Sequence, residues 1–262
     1  MTMIPATASY YFPSARVLIT GAAGGLGSAL ARAFAEAGAS LVLHYRRDPG
    51  KARSLLESLP GKGHLLLEAE AGDETSVETA MKDLASRGFC LDVLVNNAGS
   101  YPVEALADIG AEDFRSVLDA NLSSAHIFSR AALPLLGPGS SIINIASVEA
   151  LRPALGHAHY AAAKAALIQY TKSQALELAA RGIRANAISP GLIDREGLSE
   201  AWPQGLASWN RASPSGRPGG PSEVAAACLF LASGAASWIN GINLVVDGGA
   251  SCAAPQDPGL FA

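Results

Sequence analysis

The stretch RVLITGAAGGLG at residues 16–27 joins a short apolar run to a glycine-rich turn, and a helical pattern, GSALARAFAEAG, follows at residues 27–38. The apolar run is typical of a buried strand, and the pattern after the turn predicts an amphipathic helix. Glycines at such a turn let the backbone approach a pyrophosphate, and the helix N-terminus presents free N–H groups. The same turn also occurs without a ligand, so further residues must decide whether it binds a nucleotide.

The rest of the chain repeats this alternation of apolar runs and helical patterns. The runs lie at residues 40–45, 64–70, 91–97, 141–147, 183–189 and 242–246. They lack the polar alternation of a half-exposed strand, which favours a parallel sheet with helices on both faces. We therefore predict an α/β fold, a doubly wound parallel sheet of about seven strands, with long helices near residues 114–136 and 160–180.

Composition restricts the partners. The 262 residues fit one domain, 1–262, and carry 19 basic against 23 acidic residues, a formal net charge of -4, which does not favour nucleic acid. Cys90, Cys228 and Cys252 are too scattered for a disulfide framework or a metal site, so we expect a reducing, cytoplasmic location and no metal. Residues 1–15 lack an export signal, and no apolar run suits a membrane span.

Three segments fall outside the strand and helix rhythm. Residues 1–15 are interpreted as an N-terminal arm and residues 250–262 as a frayed tail. Residues 192–221 are rich in Gly, Pro and Ser, yet they hold Trp202 and Trp209, two of the three tryptophans. An irregular segment of this length is usually a binding loop or lid, which we predict here; a disordered insertion is the alternative.

The turn reads TGxxxGxG, and at characteristic distances the chain continues with Asn96-Asn97-Ala98-Gly99, Asn121, Ser147, Tyr160, Lys164, Pro190-Gly191 and VVDGG. Together these motifs resemble the short-chain dehydrogenase/reductase family, over roughly residues 16–249. The resemblance implies a single-domain Rossmann-type fold that binds NAD(H) or NADP(H) and transfers hydride between the nicotinamide and a carbonyl or alcohol. Extended sugar epimerases resemble TGxxGxxG instead, and divergent enoyl reductases separate the tyrosine and lysine more widely.

The family's catalytic residues fall on Asn121, Ser147, Tyr160 and Lys164. Tyr160 and Lys164 are four residues apart on a predicted helix, so about 6 Å of rise places them on one face. A nearby ammonium and an oxidised nicotinamide would favour the phenolate, which makes Tyr160 the candidate general acid/base. Ser147, at a strand end, would hold the substrate oxygen. As in the family, Asn121 would position a water and relay protons toward Lys164.

The resemblance also implies a set of cofactor contacts. Asn96 is expected beside the adenosine and ribose together with neighbouring residues of its motif, and Ile193 is expected to offer backbone groups to the carboxamide. The full set is Gly21, Gly25, Leu26, Gly27, Tyr45, Arg46, Arg47, Glu70, Asn97, Ala98, Gly99, Tyr160, Lys164, Pro190, Gly191 and Ile193. Glu70 stands where the family usually has an aspartate that contacts adenine.

The end of the second strand decides which nicotinamide cofactor is expected. A carboxylate there would bind the ribose 2′-hydroxyl and repel a 2′-phosphate. This chain instead has Tyr45 followed by Arg46 and Arg47, and guanidinium groups suit a phosphate, so we predict NADP(H) over NAD(H). Asp48 leaves NAD(H) open if it folds back, and Gly24 replaces a basic residue often found before the second glycine of the turn.

Five residues are predicted to line the substrate pocket: Glu149, His157, Arg195, Trp202 and Trp209. Their mixture favours a small polar carbonyl, sugar or polyol. The segments NLSSAHIFSRAALPLL and YAAAKAALIQYTKS resemble 3-oxoacyl-carrier-protein reductases. A carrier-protein substrate is disfavoured, because GPGS at residues 137–140 is uncharged and Leu176 replaces an arginine of those reductases.

Two other functions remain open. HYRRD and the SYP after NNAG resemble pteridine reductases, with Tyr101 as a stacking platform for a pterin. Gly25 and Ser147, however, replace an arginine and an acidic residue of those enzymes. The other alternative is a catalytically silent NADP(H)-binding regulator, against which the intact set of catalytic residues argues.

The two predicted long helices carry wide apolar faces, which predict a homo-oligomer, a dimer or a tetramer.

Overall fold

A computed structural model describes residues 9–252, in which seven strands form one parallel sheet of the order β3-β2-β1-β4-β5-β6-β7. The predicted doubly wound Rossmann-type fold is confirmed. The strands are β1 (Arg16–Ile19), β2 (Ser40–Tyr45), β3 (Leu65–Glu68), β4 (Leu91–Asn96), β5 (Leu136–Ile145), β6 (Arg184–Pro190) and β7 (Asn243–Val246).

Helices cover both faces of this sheet. They are α1 (Gly25–Glu36), α2 (Gly50–Ser58), α3 (Glu74–Ser86), α4 (Ala111–Leu118), α5 (Ser124–Ala132), α6 (Ala158–Leu178), α7 (Leu198–Ala201), α8 (Pro203–Ala212) and α9 (Pro221–Ala232). A π-helical turn (Asp119–Ser123) links α4 to α5, and short 3-10 turns follow β5, α6, α9 and β7. None of the helices among residues 9–252 is long and apolar enough to cross a membrane.

The two faces explain why the strands read as continuous apolar runs. Val17 and Ile19 of β1 pack in one core with Phe34 of α1. Leu18, between them, points to the opposite face and packs in a second core with Phe128 of α5. Because both faces are buried, all three of these β1 residues are apolar.

The strand order changes direction at β1, which sets the position of the site. Ile19 pairs with Leu43 of β2 on one side and with Val95 of β4 on the other. The connections after β1 and β4 therefore leave the sheet in opposite directions and open a crevice at its carboxyl edge.

The first long helix was predicted over residues 114–136, and the predicted C-terminal end is wrong. The helix is divided into α4, the π-helical turn and α5, and it ends at Ala132, while Leu136 already begins β5. Pro134 contributes to the stop, since it lacks the N–H that would continue the helical hydrogen bonds. The second helix, predicted over residues 160–180, corresponds to α6.

The segment 192–221 is not an irregular loop, because it contains α7 and α8. Pro203 is the first residue of α8, where proline is tolerated, so the proline content misled the prediction. The two ends of the segment pair with each other: Asp194 N–H donates to the carbonyl of Gly219 at 2.8 Å, and Gly219 N–H to that of Leu192 at 2.8 Å.

The predicted arm and tail are only partly described. Within the arm, Phe12 is buried against Phe34, with ring centroids 5.5 Å apart, and its N–H donates to the carbonyl of Ala37 at 2.7 Å. Within the tail, residues 250–252 form a 3-10 turn. Residues 1–8 and 253–262 lie outside the described residues.

Candidate active site

A cleft of about 3030 Å³ runs along the carboxyl edge of the sheet. Every catalytic, cofactor-binding and substrate-binding residue in the predicted sets lines it, from Gly21 in the turn to Trp209 in α8. Residues that are far apart in the chain are therefore brought into one continuous site.

The glycine-rich turn at one end of the cleft is closely packed. Gly21 has φ +61°, and a Cβ there would lie 3.1 Å from Cα of Ala98. A Cβ on Gly27 would overlap the carbonyl oxygen of Gly21, whereas one on Gly25 would meet nothing within 4 Å. Helix α1 begins at Gly25, so its free N–H groups lie at the open side of this turn, which suits an anion.

Two polar residues hold this turn against the end of β4. The hydroxyl oxygen of Thr20 accepts hydrogen bonds from the backbone N–H groups of Asn97 and Ala98, both at 2.9 Å. The side-chain amide of Asn97 donates to the carbonyls of Thr20 at 2.9 Å and Gly21 at 3.2 Å. The NNAG motif thus braces the turn as well as lining the cleft.

His44 of β2, which was not predicted as a site residue, supports the glycine-rich turn through its ring. Its Nδ1 accepts the backbone N–H of Gly21 at 3.0 Å, and its Nε2 lies 3.0 Å from the carbonyl of Ala69. Both contacts are satisfied only by the neutral tautomer with hydrogen on Nε2. Burial lowers the pKa of His44, which favours that neutral form. A histidine in an otherwise apolar strand was the available signal.

Asn96 corrects another expectation. Its side chain is buried and does not line the cleft, because its amide nitrogen donates to Ser129 Oγ at 3.0 Å and to Asn144 Oδ1 at 2.8 Å. Side chains alternate along a strand, so Asn96 and Asn97 face different ways. Asn96 therefore joins α5 to the sheet, and its side chain does not face the cleft.

Tyr160, Lys164 and Ser147 meet at the middle of the cleft. Lys164 is buried, with its Nζ 5.6 Å from the ring centroid of Tyr160 and donating to the carbonyl of Ile145 at 2.7 Å. Ser147 follows β5, and its hydroxyl oxygen accepts the backbone N–H of Glu149 at 3.1 Å. The hydroxyl proton of Ser147 is not used in that contact, and it is directed to the phenol oxygen of Tyr160, with which Ser147 forms a hydrogen bond.

Burial governs the ionisation of the tyrosine and the lysine. It raises the pKa of Tyr160 to about 12, while a hydrogen bond with Ser147 opposes that change and the charge of Glu149 reinforces it. Burial also lowers the pKa of Lys164 to about 8. From the sequence, the ammonium of Lys164 was expected to favour the phenolate. In the free protein burial is the largest influence on this pKa, so Tyr160 is a phenol that can donate a proton.

Asn121 lies in the π-helical turn, which the sequence did not predict. Its amide nitrogen donates to the carbonyls of Ser100 at 2.7 Å and Val117 at 2.9 Å. Its Oδ1 is buried and has no partner among residues 9–252. A Cβ on Gly99 would overlap this oxygen and would lie 3.6 Å from Nζ of Lys164, so Gly99 separates the two groups and leaves the space between them polar.

The end of β2 presents several charged residues to the cleft. Arg47 forms an ion pair with Glu70 at 3.4 Å, whereas Arg46 makes no hydrogen bond or ion pair within the described part of the chain. Asp48 does not fold back over the arginines, since its Oδ1 accepts the N–H of Gly50 at 2.9 Å. Lys51, which the sequence analysis missed, also lines this end of the cleft.

Glu149 and His157 form a hydrogen-bonded pair at the other end, with Oε2 of the carboxylate 2.8 Å from Nδ1 of the ring. Across the cleft, Arg195 donates to the hydroxyl of Tyr101 at 3.0 Å, which links the segment 192–221 to the loop after β4. Gly191 lies against Trp209: a Cβ on the glycine would be 3.1 Å from the indole ring.

Comparison with known proteins agrees with this geometry. A family model described as enoyl-(acyl carrier protein) reductase matches residues 21–251. The meso-2,3-butanediol dehydrogenase of Serratia marcescens is 36% identical over 249 residues, which cover 94% of this chain and 98% of that protein. The chain belongs to the short-chain dehydrogenase/reductase family. Its members are oxidoreductases that act on alcohol or carbonyl groups with a nicotinamide cofactor.

Two further relatives show how widely this family likeness extends. A 3-oxoacyl-acyl-carrier-protein reductase of Chlamydia pneumoniae is 34% identical over 89% of this chain and 96% of its own. A crystal structure named as a glucose/ribitol dehydrogenase of this family from Brucella melitensis has a TM-score of 0.87 and 33% identity, covering 93% of this chain and 99% of that one. The similarity therefore extends over nearly the whole length in both cases.

The residues present fit a nicotinamide dinucleotide. The turn at Gly21 lets backbone approach closely, α1 starts with unpaired N–H groups, and the cleft continues without interruption from there to Tyr160. Oδ1 of Asn121, which has no partner among residues 9–252, and the hydroxyl of Ser147 add polar groups to the same cleft.

Proposed function

We propose that this protein is an NADP(H)-dependent oxidoreductase that interconverts a carbonyl and an alcohol on a small polar substrate, with Tyr160 as general acid/base. The observation that carries the proposal is the convergence of Tyr160, Ser147 and Lys164 in the cleft that begins at the glycine-rich turn. The bound nicotinamide supplies or accepts the hydride.

Four side chains of the cleft bind the substrate oxygen and move the proton. Ser147 donates its hydroxyl proton to the substrate oxygen and holds it beside the phenol of Tyr160. In reduction Tyr160 gives its proton to that oxygen, and its high pKa keeps the proton available at neutral pH. Lys164, fixed by the carbonyl of Ile145, stabilises the phenolate that remains. Asn121 holds a water that carries a proton to Lys164.

The preference for NADP(H) rests on Arg46. Its guanidinium lines the cleft without an ion-pair partner among residues 9–252, so it is available for a 2′-phosphate. Arg47 shares its charge with Glu70, and Lys51 adds a further positive charge nearby. The engagement of Asp48 with Gly50 removes the carboxylate that would have favoured NAD(H).

The segment 192–221 closes the substrate end of the cleft in this proposal. Arg195, Trp202 and Trp209 line the cleft from that segment, and the contact between Arg195 and Tyr101 joins its two walls. A polar rim with aromatic walls suits a small hydroxylated carbonyl, sugar or polyol. We further propose that the enzyme works in the cytoplasm as a dimer or tetramer.

The test is a screen of cofactor oxidation. Loss of NADPH absorbance is followed with a panel of ketones, aldehydes, sugars and pterins, and the reverse panel uses alcohols with NADP⁺ or NAD⁺. Turnover of a hydroxylated carbonyl that disappears in Tyr160→Phe supports the proposal. Cofactor binding without turnover of any compound would instead indicate a silent binding protein, and turnover of pterins alone would indicate a pteridine reductase.

A further inference from the structure

We propose that Glu149, oriented by His157, selects substrates that carry a hydroxyl on the carbon next to the reacting carbonyl, that is, α-hydroxy ketones and the corresponding vicinal diols. The inference rests on the proposed function, because it assigns a substrate class to the same site. It comes from one arrangement of two side chains, an acidic residue held by a histidine directly beside Ser147 and Tyr160.

Glu149 is placed next to the reacting groups by the backbone. Its own N–H donates to the hydroxyl oxygen of Ser147 at 3.1 Å, so the two residues share one tight turn after β5. Its carboxylate contacts the ring of His157, and that ring packs against the ring of Tyr160. A substrate group bound to this carboxylate is therefore near the substrate carbonyl oxygen, which Ser147 and Tyr160 hold in the proposed function.

His157 fixes the direction of that carboxylate. Because an ionised carboxylate only accepts hydrogen bonds, Nδ1 of His157 carries the hydrogen in the contact of 2.8 Å with Oε2. The ring of His157 packs edge-on against Tyr160, with centroids 5.9 Å apart, so its own position is set by the catalytic residue. The pair is three-quarters or more buried, with side-chain exposures of 15% for His157 and 21% for Glu149.

One oxygen of Glu149 is left for a ligand. Oε1 accepts no hydrogen bond from any residue in the range 9–252, and Glu149 lines the cleft. A partly buried anionic acceptor is matched by a donor on the substrate, and a hydroxyl on the adjacent carbon is the nearest donor that a carbonyl compound can carry. The same charge disfavours a carboxylate at that carbon, since two anions would meet.

The experiment compares three uncharged ketones of similar size: 3-hydroxy-2-butanone, 3-methoxy-2-butanone and 2-butanone. The methyl ether keeps the oxygen and removes the donor. We expect the wild-type kcat/KM to be about tenfold or more higher for the hydroxy ketone than for the other two. Glu149→Ala should reduce that ratio to about threefold or less, mainly through KM for the hydroxy ketone. Any general effect on Tyr160 cancels in the ratio.

Two variants test the part of His157, which is a positioning residue. His157→Asn keeps an N–H near the place of Nδ1 and should retain most of the selectivity, whereas His157→Phe keeps the ring and removes the donor, so it should lose selectivity as Glu149→Ala does. Glu112→Ala, which removes an exposed carboxylate of α4 that does not line the cleft, is the control and should leave the ratio within about twofold of wild type.

The outcomes separate the two proposals. Turnover of all three ketones with a ratio that Glu149→Ala does not change would overturn the selection by Glu149 and leave the oxidoreductase proposal intact. A ratio near one in the wild type would do the same. If NADPH binds, as its fluorescence on titration reports, and no carbonyl or alcohol of the wider panel reacts, both proposals fail together.

Discussion

Nδ1 of His44 accepts the backbone N–H of Gly21 at 3.0 Å, so a buried side chain of β2 holds the first glycine of the glycine-rich turn. The opposite ring nitrogen contacts the carbonyl of Ala69 at 3.0 Å, at the end of β3. The turn therefore depends on the protonation state of one histidine.

This dependence predicts a loss of stability in mild acid. Burial lowers the pKa of His44 below its ordinary 6.5, so below pH 6.5 the unfolded chain takes up the proton more readily than the folded one. The free energy of unfolding should then fall as the pH drops from about 7.5 to about 5.5, by urea unfolding. His44→Gln, which accepts and donates without charging, should show a smaller fall. Identical slopes for the two proteins would remove His44 from the explanation.

The second prediction concerns the proton donor. Tyr160→Phe should lower kcat by about 100-fold or more and leave the Kd for NADPH nearly unchanged, because only the hydroxyl is lost. Lys164→Ala should impair both. The matched control is Tyr170→Phe on the same helix, whose hydroxyl contacts His126 at 2.9 Å away from the cleft. Retention of more than about a tenth of wild-type kcat in Tyr160→Phe would exclude it as the acid.

Lys164 gives the third prediction, a pH profile. Its pKa is lowered to about 8 by burial, so its charge is present below about pH 8 and lost as the pH rises through that value. We expect kcat/KM for the cofactor, which reports the free enzyme, to decline above about pH 8. Lys172→Ala, an exposed lysine of the same helix, should keep this profile. A flat profile up to about pH 10 would contradict the assignment.

The fourth prediction separates the two arginines after β2. Arg46→Ala should raise KM for NADP(H) by about tenfold and hardly change that for NAD(H), since a charged contact to phosphate contributes roughly 1.5–3 kcal/mol. Arg47→Ala should have a smaller effect, because Glu70 already shares its charge. Arg87→Ala, at the residue that follows α3, is the control. Equal losses with both cofactors would show that Arg46 does not read the 2′-phosphate.

Assembly provides the fifth prediction. The outer face of α6 exposes Ala162, Ala165 and Leu176, the last with 81% of its surface accessible, and such a face is expected to pair with a second copy. Light scattering should give a dimer or tetramer, and Ala165→Arg should shift the mass toward monomer. Ala85→Arg, the same change at an exposed position of α3, should not. A monomeric wild type at micromolar concentration would refute the prediction.

The fold could be predicted from the sequence because burial of both sheet faces leaves consecutive apolar residues in the strands. Leu18 and its neighbours Val17 and Ile19 all face a core, so the whole run had to be apolar. The meeting of Tyr160, Lys164 and Ser147 in one cleft could be predicted because Tyr160 and Lys164 share a helix face and Ser147 follows a strand. The spacing of residues along the chain is sufficient to predict contacts of this kind.

What the sequence could not show depends on contacts between distant elements. His44 supports Gly21 through a ring whose direction is fixed by packing, and Asn96 turns away from the cleft toward Asn144. The ionisation of Tyr160 was expected to follow its charged neighbour, but the degree of burial decides it, and burial is a property of the whole fold.

The two ends of the segment 192–221 are hydrogen-bonded to each other, so the segment forms a closed unit on the sheet. The chain enters at Leu192 and leaves at Gly219, which are joined by a backbone hydrogen bond of 2.8 Å, so we expect changes in the length or sequence of the residues between them to leave β6 and α9 in place. Tyr160, Ser147 and Lys164 lie on other elements. Under the proposed function, the substrate end of the cleft is then free to diversify separately from the groups that transfer the proton.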